Sequence, residues 1–421
     1  MRPFLFYSAL LLAILSIPSN HAVSTNWTKE NPGYATFNVS KFWIVQADDS
    51  VREINLTGFF IANNSFQRIT SMESNADLEQ DGELIIVHYN SANPNQTTVI
   101  YANAIVEVHY PQSFPPDPQL PSCQHTQNAI STLTASLSSS TVLPTLASID
   151  EWVYGNMAYD QSYMGKSETP EQILASRRGV CTQYAALAGA MLDSLCIPHR
   201  MVSGYAIQNG TFQPHAWLEA QAGNVSIPMD PTFGELGALY ANHIISSYWF
   251  NSSEETADSL IFACIPSSVS AGCDPGAVSM DTNFSIDMLS YRDFSPMAGI
   301  EQSYDQDSGA LSINLTNPSA QNLLLTYNFA SAPDTYGQDM HIIALAPGRS
   351  RTFTYALDKS GFEKNYVYTI PYHVEMQGTR YNQTVTFSLN GNSASNNPVC
   401  QPVLLLAFSA AFFFRKSSRL S

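Results

Sequence analysis

The chain has little charge, and what it has is lopsided. Among 421 residues only 13% are Asp, Glu, Lys or Arg, about half the usual ~25%. The 18 Lys and Arg face 35 Asp and Glu, a formal charge of −17. Without a basic face there is nothing to hold phosphates, so nucleic acid is excluded as a partner. Cysteine is also sparse, with six residues and no Cys-x-x-Cys pair. Cys181, Cys196 and His199 therefore lack the spacing of structural zinc, and no metal or other cofactor is expected. No apolar run reaches the ~20 residues of a comfortable membrane helix. The polarity comes from Asn, Ser and Thr. With 44% apolar residues and plentiful aromatics, most of the chain is expected to fold.

The ends look like addresses. Arg2 followed by the apolar Phe4–Ile17 and the small-residue segment to Ser24 reads as a signal peptide over 1–24. Val399–Phe414 is almost wholly apolar and is followed by Arg415, Lys416 and Arg419. It reads as a short transmembrane segment over 399–414, with 415–421 as a cytoplasmic tail. The expected protein is exported and anchored to the cell-surface membrane by its C-terminal segment, with its bulk outside. Eleven Asn-x-Ser/Thr triplets suit that location: Asn26, Asn38, Asn55, Asn63, Asn95, Asn209, Asn224, Asn251, Asn283, Asn314 and Asn382. Outside the cytosol disulfides persist, and Cys264 with Cys273, bracketing a short Pro/Ser/Gly-rich loop, are the expected pair. Cys123 has no evident partner, and Cys196, between Leu195 and Ile197, reads as a buried apolar residue.

Between the ends the pattern changes twice. Residues 25–110 alternate apolar and polar positions between Asn/Gly turns, as a β-rich domain does. Five prolines in 111–121 mark a stiff linker over 111–122. A helical and then stranded region over 123–274 follows, with Ser148 as a helix cap and Thr169-Pro170-Glu171-Gln172 as a capping box. Residues 233–250 read as a partly helical tail. A second β domain, immunoglobulin-like, is expected over 275–390, and 391–398 is a polar linker.

The chemistry-bearing residues sit in the middle region. Gly179 suits a sharp turn, and Cys181 then opens a run of helix formers to Asp193. At a helix N-terminus the free N–H groups and the dipole favour a thiolate. Met201–Ile207, His215–Ala220 and Val225–Asp230 read as strands joined by turns, which lets His215 and Asp230 meet across neighbours. The order Cys181, His215, Asp230 is that of a nucleophile, its base and an orienting carboxylate. A developing oxyanion needs the Cys181 N–H and a second donor, with Trp152, Tyr159 and Gln183 as candidates. Arg178 and Arg200 are expected to brace the site through buried hydrogen bonds, with Glu219 available to pair with either.

At Arg178-Gly179-Val180-Cys181, Ile197-Pro198-His199-Arg200, Gly204-Tyr205, His215-Ala216-Trp217-Leu218-Glu219 and Asp230-Pro231-Thr232, the chain resembles the transglutaminase-like superfamily, as in membrane-anchored archaeal surface proteins. The similarity reaches upstream to about Ile149, through Trp152 and Tyr159. Residue by residue it implies Cys181 as nucleophile, His215 as base and Asp230 as orienting carboxylate. It also implies an α+β, papain-like core flanked by N- and C-terminal β-sandwich domains. Two positions depart from the family: Cys196 stands where Gly usually precedes Ile-Pro, and no Trp precedes Asp230. The expected function is a cysteine protease, amidase or acyltransferase acting on protein or peptide amides through a thioacyl intermediate. A non-catalytic surface scaffold is the alternative.

Overall fold

A computed structural model describes residues 31–123, 127–208, 210–249, 258–264, 276–295, 297–331, 338–359, 361–364 and 366–388. The signal-like and anchor-like ends lie outside these residues, as do Asn26, Asn209, Asn251 and Cys273. No helix among the described residues is long and apolar enough to cross a membrane.

Three cores follow one another along the chain. The first is a sandwich of two four-stranded sheets. Its strand Tyr34–Ala47 alternates buried and half-buried positions, and Phe37, Trp43, Ile54 and Phe60 fill the interior. Burying each such side chain contributes about 1.5–3 kcal/mol. Two of the eight strands come from far along the chain. Val278–Arg292 pairs antiparallel with Tyr34–Ala47 along its length, and Ser259–Cys264 pairs with Val51–Ala62. The sequence boundaries at 123–274 and 275–390 place these strands in the core and in the C-terminal domain. Their alternation shows a half-buried strand but not which sheet receives it.

The second core joins four helices to a five-stranded antiparallel sheet. The helices are Ala129–Leu137, Val142–Asn156, Pro170–Ser176 and Cys181–Asp193. The sheet runs in the order Glu235–Leu236, Val225–Asp230, Thr211–Ala222, His199–Gln208, His243–Trp249. Residues 233–249 thus supply two strands, not the partly helical tail expected of them. The Thr169 cap forms as expected, with Gln172 Oε1 accepting from Thr169 N–H at 2.8 Å. Ser148 does not cap: its helix begins at Val142, and its hydroxyl donates to Pro144 O within the helix. The sheet lies between two layers. Leu218, Ala220, Ile227 and Met229 pack with the helices, while Val202, Trp217, Ile244 and Ile245 pack into the first sandwich.

The third core is a sandwich of seven strands plus the short Ser113–Phe114. Taken in sequence order from Gly299–Asp305, strands one, two and five form one sheet and four, three, six and seven the other. This is a Greek-key arrangement of the immunoglobulin-like kind expected. It docks on the helical lobe: His341 Nδ1 lies 2.9 Å from Glu151 Oε1, and Thr326 donates to Gly234 O.

The cysteines correct the sequence reading. Cys196 is exposed rather than buried, and is bonded to Cys123. Cys196 ends the helix Cys181–Asp193 with φ +52°, a left-handed conformation that glycine adopts most easily. The cross-link to Cys123 explains why a residue with a side chain occupies that turn. Cys264 is also disulfide-bonded; its expected partner, Cys273, lies outside the described residues.

Candidate active site

The nucleophile helix begins at Cys181, which is half-buried and a free thiol. What aims it is the turn before it. Ala158–Tyr159 and Arg178–Gly179 form a two-residue parallel ladder. Arg177, with φ +52°, makes the left-handed turn that sequence reasoning gave to Gly179. Gly179 is needed for a different reason: a Cβ there would collide with the Gln183 side chain. Gln183 folds back under the turn, where its Oε1 accepts from Val180 N–H at 2.9 Å and its Nε2 donates to Lys166 O at 3.0 Å.

His215 lies on Thr211–Ala222, opposite Gly204 on His199–Gln208. A Cβ at Gly204 would strike Ile244 O and the Trp217 ring, so the Gly-Tyr motif lets a strand and a ring close up beside the histidine. The register Leu218 to Met229 sets Asp230 next to the Trp217 position, one diagonal step from His215. There His215 Nε2 lies 2.7 Å from Asp230 Oδ2. The other face of the site is Cys181, whose side chain acts on His215 closely enough to raise its pKa. Phe233 lies flat on the imidazole, with ring centres 4.6 Å apart and planes at 9°.

Asp230 is fully buried and fully bonded. Its Oδ1 accepts from Thr232 N–H (2.9 Å) and Phe233 N–H (3.4 Å). Its Oδ2 serves His215 and also His243 Nε2, at 3.0 Å. Burial alone would raise its pKa, but the two histidines hold the carboxyl well below the usual carboxylate range. For His215, burial pulls the pKa down. The charge and hydrogen bond of Asp230, with the Cys181 thiol, overcome that and push it up to about 10. The arrangement favours an imidazolium beside the Asp230 carboxylate, which is the state a thiolate nucleophile requires. Two more buried carboxyls stand behind it. Burial pushes Glu235 up to about 7 and Asp150 well above its ordinary value, and neither Asp150 oxygen has a partner.

Of the three oxyanion candidates, two are engaged elsewhere. Gln183 has spent its amide on Val180 and Lys166. Trp152 is half-buried, has the Arg177 guanidinium 5.4 Å from its ring, and lines an outer groove with Leu137 and Arg351. Tyr159 remains. Burial, then the charge of Cys181, raise its phenol pKa, and it bonds to the Gln208 side chain.

The two arginines part company. Arg200 bonds Glu219 Oε2 (2.8 Å) and Glu83 (2.7 Å) and lies on the Tyr248 ring, which ties the catalytic sheet to the first sandwich. Arg178 does not brace the site. Its side chain is 60% exposed and reaches only Asp160, at 3.5 Å. His243 was missed as a site residue by sequence reasoning: it was seen as one member of an aromatic-rich tail, and nothing local places it beside Asp230.

Ligand atoms of His215, Asp230 and His243 fall within 4.8 Å of one another. Both imidazole nitrogens are at hydrogen-bond distance from one carboxylate oxygen whose partner oxygen is taken by backbone N–H groups. The geometry is that of hydrogen bonding. A cleft of about 400 Å³ opens beside Phe233, between the core and the C-terminal sandwich. Glu235, Asp339 and Glu375 line it with Tyr154 and Tyr240, and no Lys or Arg does.

Residues 131–231 match the family described as the Transglutaminase-like superfamily. The chain carries a transglutaminase-like core. That match spans the helices, the nucleophile turn and the strands bearing His215 and Asp230. No curated protein matches the chain in sequence. Among solved structures it is similar to a candidate cysteine protease of Cytophaga hutchinsonii, at 17% identity and TM-score 0.42, over 62% of this chain and 93% of the other. It is also similar to a candidate protease of Parabacteroides distasonis, at 10% identity and TM-score 0.21, over 75% of this chain and 69% of that one. At such scores neither likeness says anything of the reaction.

Proposed function

We propose that the protein is a cysteine enzyme that cleaves amides of proteins or peptides through a thioacyl intermediate. The observation that carries this reading is His215 bonded to the buried Asp230 and acted on by the Cys181 side chain. The Cys181 thiolate adds to the substrate carbonyl carbon. The oxyanion that forms meets the Cys181 N–H at the helix start and the Tyr159 hydroxyl. As the tetrahedral species collapses the C–N bond breaks, and the His215 proton goes to the leaving amine. The thioester is then attacked by water, whose proton His215 takes. Carbon–sulfur cleavage releases a carboxylic acid and returns the thiolate beside the His215 imidazolium. An amine in place of water would give a new amide. Hydrolysis is favoured because Cys181 is only half-buried, so that water reaches the thioester.

Export and surface anchoring belong to the same proposal. The Cys123–Cys196 bond and the bonded Cys264 suit an oxidising compartment. None of the eight described sequon asparagines is buried, and Asn95, Asn224 and Asn382 are exposed. Attachment through 399–414 completes the expectation.

The test is the rate at which iodoacetamide labels Cys181 from about pH 4 to 10, in the wild type and in His215→Ala. Fast labelling that persists into acid and disappears in the variant is expected. Labelling that rises only near the ordinary thiol pKa of ~8.5, alike in both proteins, would return Cys181 to the scaffold reading.

A further inference from the structure

The catalytic carboxylate serves two imidazoles. His243 opens the strand His243–Trp249 and is fully buried. Its Nε2 lies 3.0 Å from Asp230 Oδ2, the oxygen that also holds His215. Its Nδ1 lies 3.0 Å from Tyr240 O. Both neighbours are acceptors. A neutral imidazole has one N–H and one lone pair and can satisfy only one of them, whereas an imidazolium satisfies both. A lone pair buried against a carbonyl oxygen would leave that bond unmade at full desolvation cost.

We propose that His243 is a positively charged positioning residue of the catalytic system, holding Asp230 as an anion and moderating its grip on His215. This rests on the thioacyl reading of the site. The groups that face His243 come from each element around it. Asp230 and His215 come from the strands Val225–Asp230 and Thr211–Ala222, beyond His199–Gln208, with which His243–Trp249 pairs. Glu235 lies on the edge strand, with its Oε2 bonded to Tyr240 N–H. The Tyr110 hydroxyl from the first sandwich reaches His243 O at 3.4 Å. Tyr240 precedes it, and Asp150 from the helix Val142–Asn156 acts on Asp230 and Glu235. The Trp217 ring, 5.1 Å away, and the Phe233 ring, 5.8 Å away, stand near edge-on and keep water out. The result is a row in which the Asp230 anion lies between His215 and His243, with Glu235 behind it.

The row matters because His215 must give a proton and then take one. Under Asp230 alone, a buried imidazolium would be held so firmly that it would be a poor base toward water in the second half-reaction. A second cation, with its ring centre 5.9 Å from that of His215, opposes that hold. At an effective dielectric of ~20, a unit charge at that distance is worth about two pKa units.

His243→Gln keeps an N–H toward Asp230 and removes the charge. In the iodoacetamide pH profile of Cys181 it should move both limbs, thiolate formation and imidazolium loss, upward by about 1–2 units. The burst and steady phases of p-nitrophenyl acetate hydrolysis give the second readout. The steady, deacylating phase at neutral pH should fall about 10–100-fold, and the acylating burst should fall less. Limbs that stay in place in a folded His243→Gln would overturn the proposal and leave the triad standing. A wild-type profile that His215→Ala does not change would instead defeat the reading beneath it. If His243→Gln does not fold, Glu235→Gln carries the test: burial keeps Glu235 uncharged until about pH 7, so its removal should move the alkaline limb downward and leave the acid limb in place, and an unmoved alkaline limb would overturn the charged row.

Discussion

Two of the described histidines, His215 and His341, each lie between two side-chain partners, and they differ in what surrounds them. His215 lies between Cys181 and Asp230 at the centre of the core, with side-chain exposures of 3% for His215 and none for Asp230. His341 lies between Glu151 and Asp339 at the joint of core and C-terminal sandwich, at 2.9 and 2.7 Å, with 21% of its side chain exposed. By distance the two arrangements are alike. By environment they are not. In the first, excluded water makes each charge act strongly on the next, and the His215 and Asp230 pKa values are driven far apart. In the second, water screens the pair, and exposed ion pairs contribute about 0–1 kcal/mol. One arrangement is fit for proton transfer, and the other fastens two domains.

The sharpest way to break this contrast is to remove one charge from each. Asp230→Asn should lower turnover by about 10⁴-fold, because an amide orients the wrong imidazole tautomer. Glu151→Gln should leave turnover within about twofold, since exposed side chains at a joint carry little of the chemistry. Steady-state kinetics on the p-nitrophenyl ester compares the two directly. Equal losses would mean that the joint feeds the site, and the distinction by burial would fall.

The core also holds a constraint that the joint lacks. The Cys123–Cys196 bond closes a loop with a sequence separation of 73, for which chain entropy gives about 4 kcal/mol as an upper figure. Cys123→Ala should therefore lower the unfolding free energy of the core in urea by roughly 2–4 kcal/mol and leave the C-terminal sandwich little changed. Cys196 sits in a left-handed turn, so Cys196→Gly in a Cys123→Ala background should recover about 0.5–1 kcal/mol. A core that unfolds at the same urea concentration with or without the bond would count against it as a constraint.

Much of this core was legible because its signals are local. The Thr169 cap, the helix formers after Cys181 and the alternation around His215 each name their element within a few residues. The triad followed, since two adjacent strands and one helix start bring its members together. What escaped was decided by pairing over long distances. Val278–Arg292 reads as a half-buried strand, but only the free edge of Tyr34–Ala47 makes it part of the first sandwich. Cys196 reads as apolar between Leu195 and Ile197 until Cys123 is folded against it. His243 shows no sign of its role until the edge strand puts it over Asp230. Arg178 failed the other way: its place next to the motif suggested the site, yet its side chain points to water.

Changing pH sharpens the comparison with smaller effects. His215 is raised, so its stabilising share is complete below the unfolded value of ~6.5 and is lost as pH rises through about 10. Asp230 is lowered, so its share is present above ~3.9 and is lost only as pH falls through its depressed folded value. The core is thus expected to keep both contributions from mildly acidic to mildly alkaline conditions. At the joint, the Glu151 hydrogen bond raises His341 against partial burial. Its share is also full below ~6.5 and fades as pH rises through its folded value, but solvent limits the loss to within about 1 kcal/mol. Amide hydrogen exchange at Ile342, whose N–H donates to Glu151 at 3.1 Å, should quicken from pH 6 to 9 beyond the intrinsic rate. Exchange at His215 and Trp217 should not quicken beyond it. The smallest effect belongs to Arg178→Ala, which removes one exposed contact of 3.5 Å to Asp160. It should change stability by less than about 0.5 kcal/mol and leave the ester kinetics as they were. A loss of turnover there would show that a charge in water can govern the buried triad, and burial would no longer separate the two histidines.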